Sequence, residues 1–337
     1  MIVLGIETSC DDTSCAVYDS TTVLSNIVST QIVHNSFGGV VPELASRAHI
    51  TMIDAVLSQA LKEAGIVLSD IDGIGVTYGP GLAGSLLVGL SYAKGLALSL
   101  KVPFVGINHL EGHIWANKLS DPDVEPPFII LLASGGHTQL VFVGEWGTYN
   151  TLGATRDDAA GEAFDKVAKL LSLGYPGGPH IERLAKEGDT SYIKFPRAYL
   201  DPLKFDFSFS GIKTAVLNHV TNIGPEKAAE HTADIAACFQ DAVTEVLVKK
   251  TCMAAKRMDV RQVCIGGGVA VNSALQQRMQ SVLAKENIKT LVPPPALCTD
   301  NGAMIAAAAH FYLSRGTASS MRLAPNVSLN LPRSDQQ

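Results

Sequence analysis

Ala133-Ser134-Gly135-Gly136-His137-Thr138 joins two apolar, strand-like runs, residues 128–132 and 139–143. Such a short, small, hydroxyl-bearing linker between two apolar strand-like segments predicts a β-hairpin whose loop is bare enough for a phosphate to approach its backbone amides. The same arrangement stands at the N-terminus, where strand-like residues 3–6 and 14–19 enclose Glu7-Thr8-Ser9-Cys10-Asp11-Asp12-Thr13. Both halves of the chain therefore begin alike, and they continue alike. In the first, a strand at 71–76 leads through Tyr78-Gly79-Pro80-Gly81 into a helix from Leu82 to about Leu98 and a strand at 102–107. In the second, a strand at 262–265 leads through Gly266-Gly267-Gly268 into a helix over about 271–285 and a strand at 289–292.

Repetition of one α/β unit predicts a duplicated fold. Its layout resembles that of actin, hexokinase and Hsp70 (the ASKHA, ribonuclease H-like folds), two lobes with an inter-lobe cleft that holds nucleotide, ATP or ADP. On this basis residues 1–108 form an N-terminal lobe, completed by a C-terminal helix at about 310–330, and residues 109–309 form the second lobe. An insertion at about 155–225 interrupts the second repeat. It carries Tyr175-Pro176-Gly177-Gly178-Pro179, the aromatic run Phe205-Asp206-Phe207-Ser208-Phe209-Ser210-Gly211, and several Lys and Arg residues. It is either a hairpin or loop covering one lobe, or a substrate-facing loop.

The composition agrees with a packed α/β protein: of 337 residues 47% are apolar and only 17% charged, enough for two ordinary domains and too apolar for disorder. A net charge of −6 does not favour indiscriminate nucleic-acid binding, which shows as a basic excess, so a nucleic-acid partner has to be met by a local patch or with another subunit. The most apolar window, residues 81–100, contains glycines, serines and Lys94, which suits a buried helix better than a membrane span, and no membrane partner is expected. The N-terminal run lacks the basic flank and the length of a signal peptide. Six cysteines without CxxC spacing read as buried thiols in a reducing cytoplasm.

The chemistry concentrates at Asn108-His109-Leu110-Glu111-Gly112-His113, after the strand at 102–107. Two imidazoles at i and i+4 share one face of a helical turn and reach one metal ion, although such a pair alone is more often core or surface. It is not HExxH, because Leu110 stands where the protease glutamate belongs. Near the C-terminus Cys298-Thr299-Asp300-Asn301-Gly302-Ala303 follows three prolines and precedes a helix over 303–312. Thr299, Asp300 or Asn301 would serve as a helix N-cap; alternatively Asp300 completes, with His109 and His113, a two-histidine, one-carboxylate site suited to Fe(II) or Zn(II). Asp11 and Asp12 are either turn-closing residues or a carboxylate held for proton transfer.

The motifs just quoted, together with Gly5-Ile6-Glu7-Thr8-Ser9-Cys10-Asp11-Asp12-Thr13, residues 38–49 and 79–86, and Gly266-Gly267-Gly268-Val269-Ala270-Val271-Asn272, resemble the bacterial TsaD family from Met1 to about His310. Asp12 departs from the glutamate found in many members. The resemblance implies transfer of a threonylcarbamoyl group from threonylcarbamoyl-AMP to N6 of adenosine 37, in tRNAs that read codons beginning with A. It implies His109, His113 and Asp300 as ligands of one divalent metal ion. Leu132, Ala133, Ser134, Gly135, Gly136, Asp165, Gly178 and Asn272 fall on its substrate-binding positions, and Asp11 on its catalytic carboxylate. Its expected partners are tRNA, a paralogous non-catalytic subunit of the same fold (TsaB type) and a small P-loop ATPase (TsaE type). The rival classes are an ATP-dependent small-molecule kinase of this fold, a metalloprotease and an inactive binding module. The kinase has no need of the paired histidines, the protease lacks its glutamate, and the binding module leaves the three-ligand set unexplained.

Overall fold

The computed structural model describes residues 1–198 and 204–332. The first part of the chain contains β1 (Val3–Glu7), β2 (Asp12–Tyr18), β3 (Val23–Thr30), α1 (Pro42–Ala64), β4 (Gly73–Gly79), α2 (Ala83–Leu100), β5 (Phe104–Asn108) and α3 (His109–Ser120). There follow β6 (Phe128–Ala133), β7 (Thr138–Glu145), β8 (Thr148–Ala154), α4 (Ala160–Leu170), α5 (Gly177–Ala185), α6 (Ser210–Ile223), α7 (Pro225–Glu230) and α8 (Thr232–Arg257). The chain ends through β9 (Gln262–Gly266), α9 (Ser273–Ala284), β10 (Lys289–Leu291), α10 (Pro295–Cys298) and α11 (Gly302–Leu313).

The predicted duplication is present. One five-stranded sheet has the order β3-β2-β1-β4-β5 and the other the order β8-β7-β6-β9-β10. In each, the opening hairpin is antiparallel, as in β1–β2 and β6–β7, and the later strands add in parallel, as in β1–β4–β5 and β6–β9–β10. The central strands β1 and β6 are buried along their whole length, as expected where helices cover both faces of a sheet. This is the actin, hexokinase and Hsp70 architecture expected from the sequence.

The chain divides into two compact units, Met1–Val124 with Pro293–Leu331, and Glu125–Val292 with Pro332. The expected boundary after Asn108 is therefore displaced, and α3 belongs to the first unit. The reason lies in α11, an alanine-rich helix that packs on α3 as well as on β1, β4 and β2. Its close seating depends on glycine: a Cβ on Gly5 would lie 2.5 Å from the Ala306 amide nitrogen, and one on Gly75 2.3 Å from the Ala309 Cβ. Within the same unit Pro42 opens α1, and Gly65, in the left-handed region at φ 68°, closes it.

Two further expectations change. Helix α2 is long and apolar enough to cross a membrane by length and composition, yet Leu86, Leu90, Ala93 and Ala97 are buried while Leu87 and Leu98 stay exposed, so it packs by one face rather than as a fully buried rod. Among its described residues the insertion carries three helices, α4 to α6, rather than a hairpin or an irregular loop alone. Helix α4 buries Ala160, Ala163, Phe164, Val167 and Ala168, an i, i+3, i+4, i+7, i+8 stripe. Residues 199–203 of the insertion lie outside the described residues.

Candidate functional site

In the first unit β5 ends at Asn108, whose Oδ1 accepts the amides of Leu110 at 2.9 Å and Glu111 at 3.4 Å and so starts α3. Its Nδ2 donates to the Asn330 carbonyl at 2.9 Å. The cap fixes the first turn of α3, which places His109 and His113 one above the other, with ring centroids 4.8 Å apart. Asp300 approaches from the turn before α11. Its Oδ1 lies 3.5 Å from His109 Nε2 and 3.3 Å from His113 Nε2. One donor atom from each of the three residues falls within 4.8 Å of the others. The capping alternative for Asp300 is excluded, because Asn301 Oδ1 accepts the Met304 amide at 3.0 Å.

His113 is 1% exposed, and neither of its ring nitrogens has a hydrogen bond, since the Asp300 approach to Nε2 lacks hydrogen-bond geometry. A buried imidazole left in this state is costly unless something else takes its lone pair. His109 is braced: Nδ1 lies 3.1 Å from Glu7 Oε2 and 3.1 Å from Ser9 Oγ. Burial pulls the His109 imidazole down, but the carboxylates of Asp300 and Glu7 outweigh it and carry its pKa up to about 9. Glu7, fully buried, is pushed up by burial and pulled down further by His109, ending below its ordinary value. The pocket thus draws positive charge between two carboxylates, and a divalent cation meets that demand. Two imidazoles and a carboxylate fit Fe(II) or Zn(II) as a donor set.

The loop from Glu7 to Asp12 is clamped on all sides. Ser9 carbonyl accepts the Leu82 amide at 2.8 Å, Thr8 Oγ1 donates to the Ser85 carbonyl at 2.9 Å, and the Cys10 carbonyl lies 2.9 Å from His49 Nε2. Of the loop's hydroxyls, that of Thr8 therefore holds backbone, whereas that of Ser9 faces the His109 ring. Asp11 is half-buried within it, and its carbonyl accepts the Gln31 amide at 3.2 Å. Asp12 is driven up to about 7, chiefly by burial and against a hydrogen bond with Thr30, with Asp300, Asp11 and Glu7 adding negative charge. Asp11 and Asp300 thus act on one shared electrostatic environment.

The remaining predicted residues converge in the second unit, at the carboxyl ends of β6 and β9, where Leu132 pairs with Gly266. Ser134 folds its loop back, its amide donating to the His137 carbonyl at 2.8 Å and its carbonyl accepting the Gly161 amide at 3.1 Å. Gly135, Gly136 and Gly178 have open space where a side chain would stand. Asp165 on α4 accepts the Gly177 amide at 2.7 Å and so holds the start of α5, beside Gly178. Asn272 is already engaged, its Oδ1 capping α9 through the Leu275 amide at 2.9 Å and its Nδ2 donating to Gln240 Oε1 at 2.7 Å.

Sequence reasoning missed Glu7 and Thr77 in the first unit, and Glu182 and Gln240 in the second. Glu182 Oε1 accepts both the amide and the hydroxyl of Ser273, at 3.0 and 2.5 Å, joining α5 to the start of α9. Of these residues only Glu7 lies inside a quoted motif; no local pattern marks the others.

A family model described as "TsaD: tRNA N6-adenosine threonylcarbamoyltransferase" matches residues 22–307. A protein of that name from Clostridium perfringens is 53% identical over 332 residues, covering 98% of this chain and 98% of the relative. Another, from Syntrophus aciditrophicus, is 55% identical over 325 residues, 96% of each. Among solved structures, component A of the Acidaminococcus fermentans (R)-2-hydroxyglutaryl-CoA dehydratase has a TM-score of 0.56 at 15% identity, covering 93% of this chain and 97% of that one. HypF of T. kodakarensis has a TM-score of 0.63 at 14% identity over 95% of this chain and 48% of its own. These two support the fold alone, whereas the family model and the full-length relatives decide kinship: the chain belongs to the TsaD family of tRNA N6-adenosine threonylcarbamoyltransferases.

Proposed function

We infer that this chain transfers a threonylcarbamoyl group to N6 of an adenosine in tRNA. In the finer reading the donor is threonylcarbamoyl-AMP and the acceptor is adenosine 37 of tRNAs that read codons beginning with A. The observation that carries the chemistry is the cluster of His109, His113 and Asp300 in a chain matched to this family along its length.

His109, His113 and Asp300 would hold one divalent ion, Fe(II) or Zn(II). Bound there, it supplies Lewis acidity to a mixed anhydride, stabilising charge on the carbonyl or on the departing phosphate. The other steps fall to the chain. Leu132, Ala133, Ser134, Gly135 and Gly136 receive the adenylate phosphate against bare backbone, which the open space at Gly135 and Gly136 supports. Asp165, Gly178 and Asn272 grip the nucleoside part. Because the side-chain amide of Asn272 is committed to α9 and Gln240, its contribution is to fix the amide-bearing start of α9. Adenine N6 is a weak nucleophile, so positioning supplies much of the rate. Asp11 accepts or steers the N6 proton as the bond from N6 to the carbonyl carbon forms, and the bond from that carbon to the phosphate oxygen breaks, releasing AMP.

The TsaB-type subunit and the TsaE-type ATPase remain the expected partners beside tRNA, with the cytoplasm as the setting. No feature of the site favours a kinase or a protease. The test is nucleoside analysis of unmodified tRNA incubated with the protein, threonylcarbamoyl-AMP and candidate partner subunits, comparing wild type with His109→Ala. Modified adenosine formed by wild type alone supports the reading. Equal product from both proteins removes the metal cluster from it.

A further inference from the structure

The two histidines of the cluster are held differently. His113 has no hydrogen bond at either ring nitrogen, whereas His109 Nδ1 faces Glu7 Oε2. Glu7 is 0% exposed, and its acceptors are used inside the first unit: Oε1 takes the Ser9 amide at 2.5 Å, and Oε2 takes Thr77 Oγ1 at 2.5 Å besides the His109 ring. A carboxylate anchored by the loop after β1 and by β4 cannot swing out to a substrate. It can only set the ring of His109.

We propose that Glu7 is a positioning residue which holds a proton on His109 Nδ1, so that Nε2, on the side of the ring where Asp300 Oδ1 stands, is the nitrogen that gives up its proton to a metal ion; the inference rests on the metal-ligand role assigned to His109. Nδ1 has a competing neighbour in Ser9 Oγ, also at 3.1 Å. If Ser9 donated to Nδ1, the proton would sit on Nε2 and the ring could not ligate. Glu7 decides against that state, because an ionised carboxylate can only accept and makes the stronger, charge-assisted bond. Outer carboxylates of this kind orient metal-ligating imidazoles and raise their basicity, and their loss costs about 10- to 100-fold in metal affinity. A glutamine at position 7 could present its NH₂ group to Nδ1 and so permit the wrong tautomer.

The experiment is a Co(II) titration followed by visible absorption, on wild type, Glu7→Gln, Ser9→Ala and His109→Ala, with urea unfolding run on each. The expected result is about 10- to 100-fold weaker Co(II) binding by Glu7→Gln with its unfolding transition still cooperative, near-wild-type affinity for Ser9→Ala, and the largest loss for His109→Ala. Should Glu7→Gln not fold, Glu7→Asp keeps the charge but draws the carboxylate back by one methylene, and the same weakening is expected. Wild-type affinity in both Glu7 variants with loss in His109→Ala overturns the role of Glu7 alone. A loss in Ser9→Ala as large as that in Glu7→Gln also overturns it, by giving the tautomer to Ser9. Undiminished binding by His109→Ala removes the metal reading and this inference with it.

Discussion

The Tyr312 hydroxyl donates to Glu111 Oε1 at 2.7 Å and so ties α11, which starts two residues after Asp300, to α3, which carries His109 and His113. Glu111 is only 2% exposed, between the two histidines in sequence. Loss of a hydrogen bond to a buried carboxylate costs about 1–3 kcal/mol. Tyr312→Phe is expected to lower the urea unfolding free energy by about that amount and to weaken Co(II) binding less than His109→Ala does, since no ligand is removed. A variant as stable as wild type would show that helix packing alone holds the pair together.

Asp300 and Asn301 divide two tasks between adjacent residues. Asn301 caps α11 and is fully buried, whereas Asp300 keeps an oxygen near both imidazoles. Asn301→Ala should cost about 1 kcal/mol of stability through the lost cap while metal still binds. Asp300→Ala should abolish tight Co(II) binding with little loss of unfolding free energy, because it removes a carboxylate from beside Glu7. Paired urea and Co(II) titrations distinguish the two, and a reversal of the pattern would reassign the residues.

What the sequence made legible follows the range of the interactions. The hairpin loops, the Gly-rich turns and the i, i+4 histidines are local patterns, so the duplicated topology and two of the three residues of the metal cluster could be read from them. Asp300 could be suggested as a ligand but not separated from its capping alternative, because the difference is one hydrogen bond, from the Met304 amide to Asn301 Oδ1. Glu7 looked like the first residue of a polar loop, and nothing near it announces a partner at position 109. The lobe boundary was misplaced for a related reason: α3 follows β5 directly, and only the packing of α11, nearly two hundred residues later, returns it to the first unit. The helical stripe from Ala160 to Ala168 was not among the expectations for the insertion, which followed its Gly-rich turn and aromatic run.

The insertion also carries an acid-sensitive anchor. Burial pushes the Asp157 carboxyl up, but hydrogen bonds from the Ser208 hydroxyl, the Phe209 amide and the hydroxyl and amide of Ser210 outweigh this and hold its pKa below the ordinary value. A carboxyl depressed on folding contributes stability that is present above its unfolded pKa, about 3.9, and is lost as pH falls through the lower folded value. The start of α6 at Ser210 should therefore loosen below about pH 4. Asp157→Asn is expected to be less stable than wild type at neutral pH and to show a shallower loss of unfolding free energy between neutral and acid pH. Parallel acid limbs for the two proteins would remove Asp157 from the acid response.

The seating of α11 on the first sheet gives the sharpest packing test. A methyl group at position 5 would lie 2.2 Å from the Gly302 carbonyl oxygen, 2.5 Å from the Ala306 nitrogen and 2.8 Å from the Ala306 Cβ. Two of these three atoms are backbone, so no side-chain rotation relieves the overlap, and either the helix or β1 has to move. Overpacking of this kind costs about 1–3 kcal/mol and occasionally more. Gly5→Ala should fall at or beyond the upper end of that range and, because α11 starts two residues after Asp300, should weaken Co(II) binding as well. Gly135→Ala in the second unit meets open space, and its unfolding free energy should stay within about 0.5 kcal/mol of wild type. Equal stability of Gly5→Ala and wild type in urea would mean that α11 does not lie on β1 as closely as these distances require.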